Sequence, residues 1–167
     1  MGTIKQLWAP WRNLYLRKGL KEQACFLCRI ASDDPKRDPE NLVLLRGKCV
    51  FAVLNLYPYN NGHLMIVPYR HIAEPGQLSE QERLEWMRFL ELSLDALRKA
   101  LRPHGFNVGC NLGRAAGAGL EDHLHLHVVP RWVGDTNFLP IFGETKVISQ
   151  ALQETYEELR AAFQSLL

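Results

Sequence analysis

Strict alternation of polar and apolar side chains marks the stretch His123-Leu124-His125-Leu126-His127-Val128-Val129-Pro130-Arg131. Residues two apart share one face of a β-strand, so this pattern predicts a strand that carries three histidines on one face. Leu124, Leu126 and Val128 then face a core on the other side. Three imidazoles opposite a fully aliphatic face favour a chemical role over a purely structural one.

Two kinds of chemistry fit a row of three histidines. In a metal site, the outer pair on a straight strand would lie about 13 Å apart at the Cα atoms, whereas zinc holds each nitrogen at about 2.0–2.1 Å. One ion can therefore take two neighbouring histidines, but hardly all three. In nucleophilic catalysis, the middle imidazole attacks an electrophile while its neighbours handle charge and protons. We favour this second interpretation.

The histidine pattern over residues 123–129 resembles the signature of the histidine-triad (HIT) nucleotide hydrolases and transferases. Its wider context is most similar to the bacterial diadenosine tetraphosphate phosphorylases. The similarity extends from about Leu42 to Gln150, and its supporting segments are Asn55–Asn60, Gly62–Met65, Val67–Arg70, Asn111–Gly113 and Pro130–Trp132. The resemblance implies an α+β, HIT-like fold with an antiparallel sheet of about five strands, one long helix, a C-terminal helix and a homodimeric assembly.

Composition is that of an ordinary globular protein: 167 residues, 47% hydrophobic and 23% charged, with a net charge of +2. This charge gives no electrostatic case for nucleic-acid or membrane binding. No apolar run approaches a membrane span, and the N-terminus lacks the apolar core of a signal peptide. We therefore expect a cytoplasmic protein without a nucleic-acid or membrane partner.

We expect a single domain with three parts: an N-terminal arm over residues 1–41, a HIT core over 42–132, and a C-terminal extension with a helix over 133–167. The arm contains the aromatic segment Trp8–Arg12. Two interpretations of this segment stay open, namely anchoring of the arm on the body and a contribution to the site across a subunit boundary, which the resemblance favours.

Apolar runs predict four further strands, which are Leu42–Leu45, Val50–Leu54, His63–Val67 and Phe106–Leu112. A capping-box signature at Ser79–Glu82 begins a long helix, and Pro103 and Gly105 end it. The predicted buried face of this helix carries Met87, Leu90, Leu94, Leu97 and Leu101. A second amphipathic helix is expected from about Ile148 to Leu167, with its apolar face at Leu152, Tyr156, Leu159, Phe163 and Leu166. The polar segment Ser32–Asn41 predicts a loop.

Four cysteines are present in the chain, and two of them form the motif Cys25-Phe26-Leu27-Cys28. A Cys-x-x-Cys pair suits a redox dithiol or half of a zinc site, and unligated surface thiols are a further alternative. The resemblance implies a closed Cys2His2 zinc site, whose ligands here would be Cys25, Cys28, His71 and His123. A zinc ligand at His123 would orient the strand and could not also donate a proton.

Two segments are expected to bind the nucleotide. Asn55 ends a predicted strand where most HIT proteins have a ribose-binding aspartate, although an asparagine before Pro58 also suits a turn. The loop from Gly113 to Gly119 contains small residues that let backbone N–H groups approach a phosphate closely, but a plain glycine-rich connection between two strands would have the same composition. His63 is interpreted as a structural histidine.

The resemblance adds substrate contacts at Asn111, Ala118, Gly119 and Trp132, beside Gly117 of the loop. Relatives commonly carry Ser or Thr where this chain has Gly119, so only backbone N–H donors remain at that position. No Asp/Glu cluster indicates an essential magnesium site, and magnesium is expected only together with the substrate phosphates.

The three triad histidines are expected to act in a two-step nucleotidyl transfer. His125 is expected to attack the α-phosphorus of an adenosine polyphosphate and form a nucleotidyl-histidine, and His127 to contact the non-bridging oxygens. His123 is either a proton donor or a metal ligand. Inorganic phosphate as the second acceptor would convert diadenosine tetraphosphate to ATP and ADP, and water would give AMP and ATP; the resemblance favours phosphate.

Three other functions stay open at this point. The first is a HIT hydrolase acting on dinucleoside polyphosphates or purine nucleotide phosphoramidates. The second is a nucleotide-binding module that holds AMP without turnover, against which an intact His125 argues. The third is a histidine metalloenzyme, whose activity strong chelation would abolish.

Overall fold

A computed structural model describes residues 25–135, 148 and 150–167. Within these ranges the chain forms four α-helices and five β-strands: α1 (Phe26–Ser32), α2 (Asp38–Asn41), β1 (Val43–Arg46), β2 (Val50–Leu54), β3 (Leu64–Pro68), α3 (Glu80–Leu101), β4 (Gly105–Gly109), β5 (Leu126–Arg131) and α4 (Leu152–Gln164). The segment Trp8–Arg12 lies outside the described residues. No helix among those described combines the length and apolar character that crossing a membrane requires.

The five strands form one antiparallel sheet in the order β1-β2-β3-β5-β4. Strand β5 therefore lies between β3 and β4, and His127 pairs with Met65 on one side and Gly109 on the other. This architecture confirms the predicted α+β fold with a five-stranded antiparallel sheet. It also places the end of the histidine stretch inside the sheet rather than at its edge.

Helices cover both faces of the sheet. Helices α3 and α4 pack on one face, where the buried side chains include Leu64, Ile66 and Val128. Helix α1 packs on the other, over Phe51 and Val67. Because both faces are covered, every residue of β2 and β3 is buried, and each fully buried aliphatic or aromatic side chain contributes about 1.5–3 kcal/mol.

Helix α3 begins as predicted, but its buried face differs from the prediction. The Ser79 hydroxyl accepts a hydrogen bond from the Glu82 N–H, and the Glu82 carboxylate accepts one from the Ser79 N–H. The prediction that Met87 is buried is wrong, because its side chain is 55% exposed. The buried stripe instead passes through Phe89, which lies two residues, or about 200°, further around the helix.

Other element boundaries also differ from the prediction. Residues Ser32–Asn41 contain a 3₁₀ turn at Pro35–Arg37, which the Asp34 carboxylate caps by accepting from the Lys36 N–H at 2.9 Å, followed by helix α2. Helix α4 ends at Gln164, so Leu166 lies beyond it and is exposed.

The predicted strands around the site are shorter than expected. Strand β4 ends at Gly109 and β5 begins only at Leu126. The chain before Leu126 leaves the β3 ladder, and the Leu124 N–H donates instead to the Ile72 carbonyl at 2.6 Å. His123 and His125 therefore precede the strand, and only His127 lies within it.

Candidate active site

The three triad histidines are all buried, and they divide between two neighbouring sites. The rings of His125 and His127 meet edge to face, with centroids 4.8 Å apart. The ring of His123 lies instead against His71, at a centroid distance of 5.1 Å. The tertiary structure thus joins His125 and His127 in one candidate active site and places His123 in a cluster with the cysteines.

The backbone holds His125 in a single tautomer. Its Nδ1 atom lies 2.8 Å from the carbonyl oxygen of His123. A carbonyl only accepts hydrogen bonds, so Nδ1 carries the proton and the lone pair of the neutral ring is on Nε2. Burial lowers the pKa of His125 and so favours this neutral form. A neutral imidazole with a defined lone pair is a competent nucleophile.

A second chain of hydrogen bonds fixes His127. The Tyr59 N–H donates to Nδ1 of His63 at 3.0 Å, and Nε2 of His63 lies 2.9 Å from Nδ1 of His127. Since His63 accepts at Nδ1, its neutral ring carries the proton on Nε2 and donates it to His127. A neutral His127 then carries its own proton on Nε2, which is the tautomer that donates to an oxyanion.

The interpretation of His63 as a structural histidine misses this contact. His63 directly precedes β3, and β3 neighbours β5 in the sheet. The sequence shows a histidine next to an apolar strand, but not which strand pairs with the triad. Only the sheet order reveals that His63 and His127 meet.

Cys25, Cys28, His71 and His123 form a compact cluster, in which the four potential ligand atoms all lie within 4.8 Å of one another. Nδ1 of His123 is 3.2 Å from Sγ of Cys25, and Nδ1 of His71 is 3.2 Å from Sγ of Cys28. A tetrahedral zinc ion with ordinary bond lengths separates its ligand atoms by about 3.3–3.8 Å. The donor set and its spacing therefore fit a closed structural zinc site.

The orientation of His123 agrees with a ligand role. Its Nε2 atom lies 2.9 Å from the Pro68 carbonyl, so Nε2 carries the proton and Nδ1 keeps a lone pair directed at the cysteines. Burial lowers the pKa of His123, which favours the neutral form that binds metal. Nε2 of His123 is thus occupied by the Pro68 carbonyl and Nδ1 faces the cysteine sulfurs, so neither nitrogen is placed to donate a proton to a leaving group.

Asn55 lies close to the histidine chain. Its side-chain oxygen accepts a hydrogen bond from the Tyr57 N–H at 2.9 Å, and its amide nitrogen is 3.4 Å from Nδ1 of His63. The first contact is the turn that the alternative interpretation expected. Asn55 therefore shapes the loop beside the site, and ribose binding by this residue stays a prediction.

The predicted phosphate loop folds as a 3₁₀ turn over Arg114–Ala116 between two glycines of positive φ, Gly113 (74°) and Gly117 (83°). Ala118 is buried, whereas Gly119 is exposed. The Ala118 N–H lies 3.5 Å from the Gly113 carbonyl, so this contact closes the loop on itself only weakly. Among the other predicted substrate contacts, Asn111 and Trp132 are both half-buried, and nucleotide binding by the loop and by these residues stays a prediction.

Comparison with known proteins identifies the family of this chain. The model of the HIT domain matches residues 36–133. The chain belongs to the HIT family. A HIT-family relative from Mycobacterium tuberculosis, an AP-4-A phosphorylase, is 46% identical over 157 residues, which cover 91% of this chain and 80% of the relative.

More distant HIT proteins are also similar to this chain in sequence or in structure. An adenosine 5'-monophosphoramidase from Schizosaccharomyces pombe is 28% identical over 65% of this chain and 74% of its own. The solved structure of a Zn-bound histidine triad family protein from Mycobacterium smegmatis is 26% identical, with a TM-score of 0.68 over 86% of this chain and 95% of its own. The solved structure of a hypothetical histidine triad nucleotide-binding protein from Sulfolobus tokodaii is 27% identical, with a TM-score of 0.66 over 85% of this chain and 93% of its own. The family supports an enzyme of the HIT class.

Proposed function

We propose that this protein transfers a nucleotidyl group from dinucleoside polyphosphates, and that its reaction is the phosphorolysis of diadenosine tetraphosphate to ATP and ADP. The observation that carries the proposal is the hydrogen bond from Nδ1 of His125 to the His123 carbonyl, which leaves the nucleophilic lone pair on Nε2. The 46% identity to an AP-4-A phosphorylase supports the choice of substrate and acceptor.

The reaction takes two displacement steps. Nε2 of His125 attacks the α-phosphorus, the bond from that phosphorus to the bridging oxygen breaks, and ATP leaves. Inorganic phosphate then attacks the adenylyl group on His125, the P–N bond breaks, and ADP leaves with a regenerated imidazole. Each step has an imidazole as either nucleophile or leaving group, which avoids direct displacement of one polyanion by another.

The neighbouring residues assist both steps. The proton on Nε2 of His127 stabilises negative charge on the non-bridging oxygens, and the hydrogen bond from His63 holds that tautomer. We assign the nucleotide to Asn55, Asn111 and Trp132, and its phosphates to the backbone N–H groups of residues 117–119. Magnesium would enter only with the substrate phosphates.

We assign a structural zinc ion to Cys25, Cys28, His71 and His123, whose spacing fits it. Bound there, zinc would crosslink helix α1 to the segment that carries the triad. The coordinating side chain of His123 and its carbonyl contact to His125 then belong to one rigid unit. We place the reaction in the cytoplasm, where adenine nucleotides and reduced thiols occur together.

We also propose a homodimer. Strand β4 is an edge of the described sheet, and its outer residues, among them Val108, are exposed. An exposed edge strand is a template for pairing with a second copy. Light scattering coupled to size exclusion measures the mass directly, and a monomer that persists at high protein concentration would contradict the dimer.

A second candidate is hydrolysis, in which water removes the adenylyl group from His125. The 28% identity to an adenosine 5'-monophosphoramidase favours phosphoramidates as its substrates. The same histidine geometry serves both reactions, so the acceptor decides between them.

The deciding experiment incubates the protein with diadenosine tetraphosphate, with and without inorganic phosphate, and separates the nucleotides by chromatography. We expect ATP and ADP only when phosphate is present, and no turnover by the variant His125→Ala. AMP and ATP in both conditions would identify a hydrolase. No turnover in either condition would refute the polyphosphate assignment, and adenosine phosphoramidate would then be tested with the same variant as control.

A further inference from the structure

The carboxylate of Asp135, just beyond the end of β5, accepts hydrogen bonds from several neighbouring residues. Its Oδ2 atom accepts from Arg131 Nε (2.7 Å), Asn60 Nδ2 (2.8 Å) and the Trp132 N–H (3.0 Å), and its Oδ1 accepts from Arg131 Nη2 at 2.8 Å. The Asp135 side chain is only 9% exposed. A buried charge is retained at acceptable cost only when it is paired and hydrogen-bonded, as it is here.

Asn60 joins this carboxylate to a separate part of the chain. Asn60 is buried, and its amide group donates both to Asp135 and to the Pro130 carbonyl, the latter at 3.0 Å. The backbone carbonyl of Asn60 accepts a hydrogen bond from the His63 N–H at 3.1 Å. Asn60 therefore connects the segment after β5 to the loop that precedes β3.

Within the described part of the chain, several apolar side chains of that loop are exposed. Leu56, Tyr57 and Tyr59 expose between 43% and 60% of their surface. The loop ends at Gly62, whose φ is +74° and where an added Cβ would collide with Leu101. Polar contacts also hold the loop: those of Asn60, and those of the Asn61 amide group with the Gln150 side-chain oxygen and the Thr155 hydroxyl, both at 3.0 Å.

The position of the loop matters because Tyr59, adjacent to Asn60, supplies the N–H that occupies Nδ1 of His63. This donor, together with the Asn55 amide nitrogen 3.4 Å from the same atom, favours the Nε2-protonated tautomer of His63, and through it the tautomer of His127. The ring of Tyr59 also lies against both histidines, with centroid distances of 4.7 Å and 5.7 Å.

We propose that Asn60 and Asp135 form a clamp, and that this clamp positions the Tyr59–His63–His127 hydrogen-bond chain and the backbone of Trp132. Asp135 is a positioning residue in this scheme, since it acts through Asn60 and Trp132. The kinetic consequence rests on the proposed function, whereas the structural consequence does not.

The test uses Asp135→Asn, which keeps the shape of the side chain but brings an NH2 group towards donors that need acceptors. Nitrogen-15 spectra of labelled histidine report which ring nitrogen carries the proton. We expect wild-type His127 to be protonated at Nε2. In the variant, the ratio of the Nε2-protonated to the Nδ1-protonated form of His127 should fall at least about threefold. With diadenosine tetraphosphate, kcat should fall by about tenfold.

The matched control is Asp38→Asn. Asp38 also accepts hydrogen bonds from one guanidinium, that of Arg46, at 2.7, 2.9 and 3.1 Å, and its side chain is 12% exposed. It lies beside β1, at the opposite edge of the sheet from β4. We expect this variant to lose stability while the signals of His63 and His127 stay as in the wild type.

Wild-type His63 and His127 signals in Asp135→Asn would overturn the clamp, whatever the stability of that variant. If Asp135→Asn does not fold, Asn60→Ser removes the same link, and an unchanged His127 tautomer in that variant overturns the proposal equally. A wild-type protein without turnover refutes the proposed function, while the spectra still decide on the clamp.

Discussion

Nε2 of His63 lies 2.9 Å from Nδ1 of His127, and these imidazoles come from segments 64 residues apart in the chain. Because the Tyr59 N–H occupies the other nitrogen of His63, the proton between the two rings belongs to His63. The oxygen-stabilising histidine of the proposed reaction is thus held in its donor form by a fourth histidine outside the triad motif.

This relationship predicts the effect of replacing His63. In His63→Phe no proton is offered to His127, so its tautomer is no longer selected, and turnover of diadenosine tetraphosphate should fall by about 10²-fold. His63→Gln, whose amide can still accept from Tyr59 and donate to His127, should fall less. Steady-state rates of both variants test this, with melting temperatures to confirm folding. Equal, wild-type rates in both would contradict the assigned role.

The cysteine cluster predicts a stoichiometric metal. Protein purified without chelator should contain one zinc ion per chain by elemental analysis, and Cys28→Ser should lose it. Zinc present at 100 times its Kd would stabilise the fold by about 2.7 kcal/mol. Since each kcal/mol shifts the melting temperature of a chain of this size by about 2–4 °C, removing the zinc with a chelator should lower the melting temperature by roughly 5–10 °C.

Cys110→Ser is the control for the zinc prediction, because Cys110 is a free thiol outside the cluster. It should retain the wild-type zinc content. A wild-type protein that is free of metal even after growth and purification with added zinc would contradict the metal assignment.

The Arg70–Glu82 pair predicts a pH-dependent stability. Hydrogen bonds from Arg70, the nearer at 2.6 Å, and from the Ser79 N–H lower the pKa of Glu82 from 4.5 to about 2. A carboxylate whose pKa is lowered by folding stabilises the protein fully above pH 4.5 and loses this contribution as the pH falls towards 2.

Glu82→Gln should therefore destabilise the fold by about 1–2 kcal/mol at pH 7, since the partly exposed Arg70 weakens the pair. The difference from wild type should shrink between pH 5 and pH 2. Urea unfolding across this range measures it. Asp95→Asn, which removes an exposed ion pair with Arg98, should change stability by less than about 0.5 kcal/mol, and a pH-independent cost in Glu82→Gln would contradict the assignment.

Helix α3 offers a test of its buried face. Phe89 is 5% exposed and lies in the core, whereas Met87 is mostly in solvent. We expect Phe89→Ala to cost about 3–5 kcal/mol and Met87→Ala to stay within about 0.5 kcal/mol of wild type. Denaturant unfolding gives both values, and a larger cost at Met87 would show that this face is covered in solution.

Local patterns explain what the sequence predicted correctly. Alternation and apolar runs identified all five strands, and the Ser79–Glu82 capping box placed the start of α3, because these signals arise from neighbouring residues. The choice of buried face along α3 failed at Met87. Several stripes of apolar residues run along that helix, and only the position of the sheet decides which stripe is covered.

The sequence by itself determined the fold class, the triad and the cysteine pair, since each is encoded in residues close together in the chain. The tertiary structure alone decided which groups each histidine contacts. It directed His123 towards the cysteines, gave His125 its tautomer through a backbone carbonyl, and brought His63 to His127 by placing β3 beside β5. A protonation state depends on the atom facing each ring nitrogen, and that atom comes from a segment whose distance in sequence carries no information about contact.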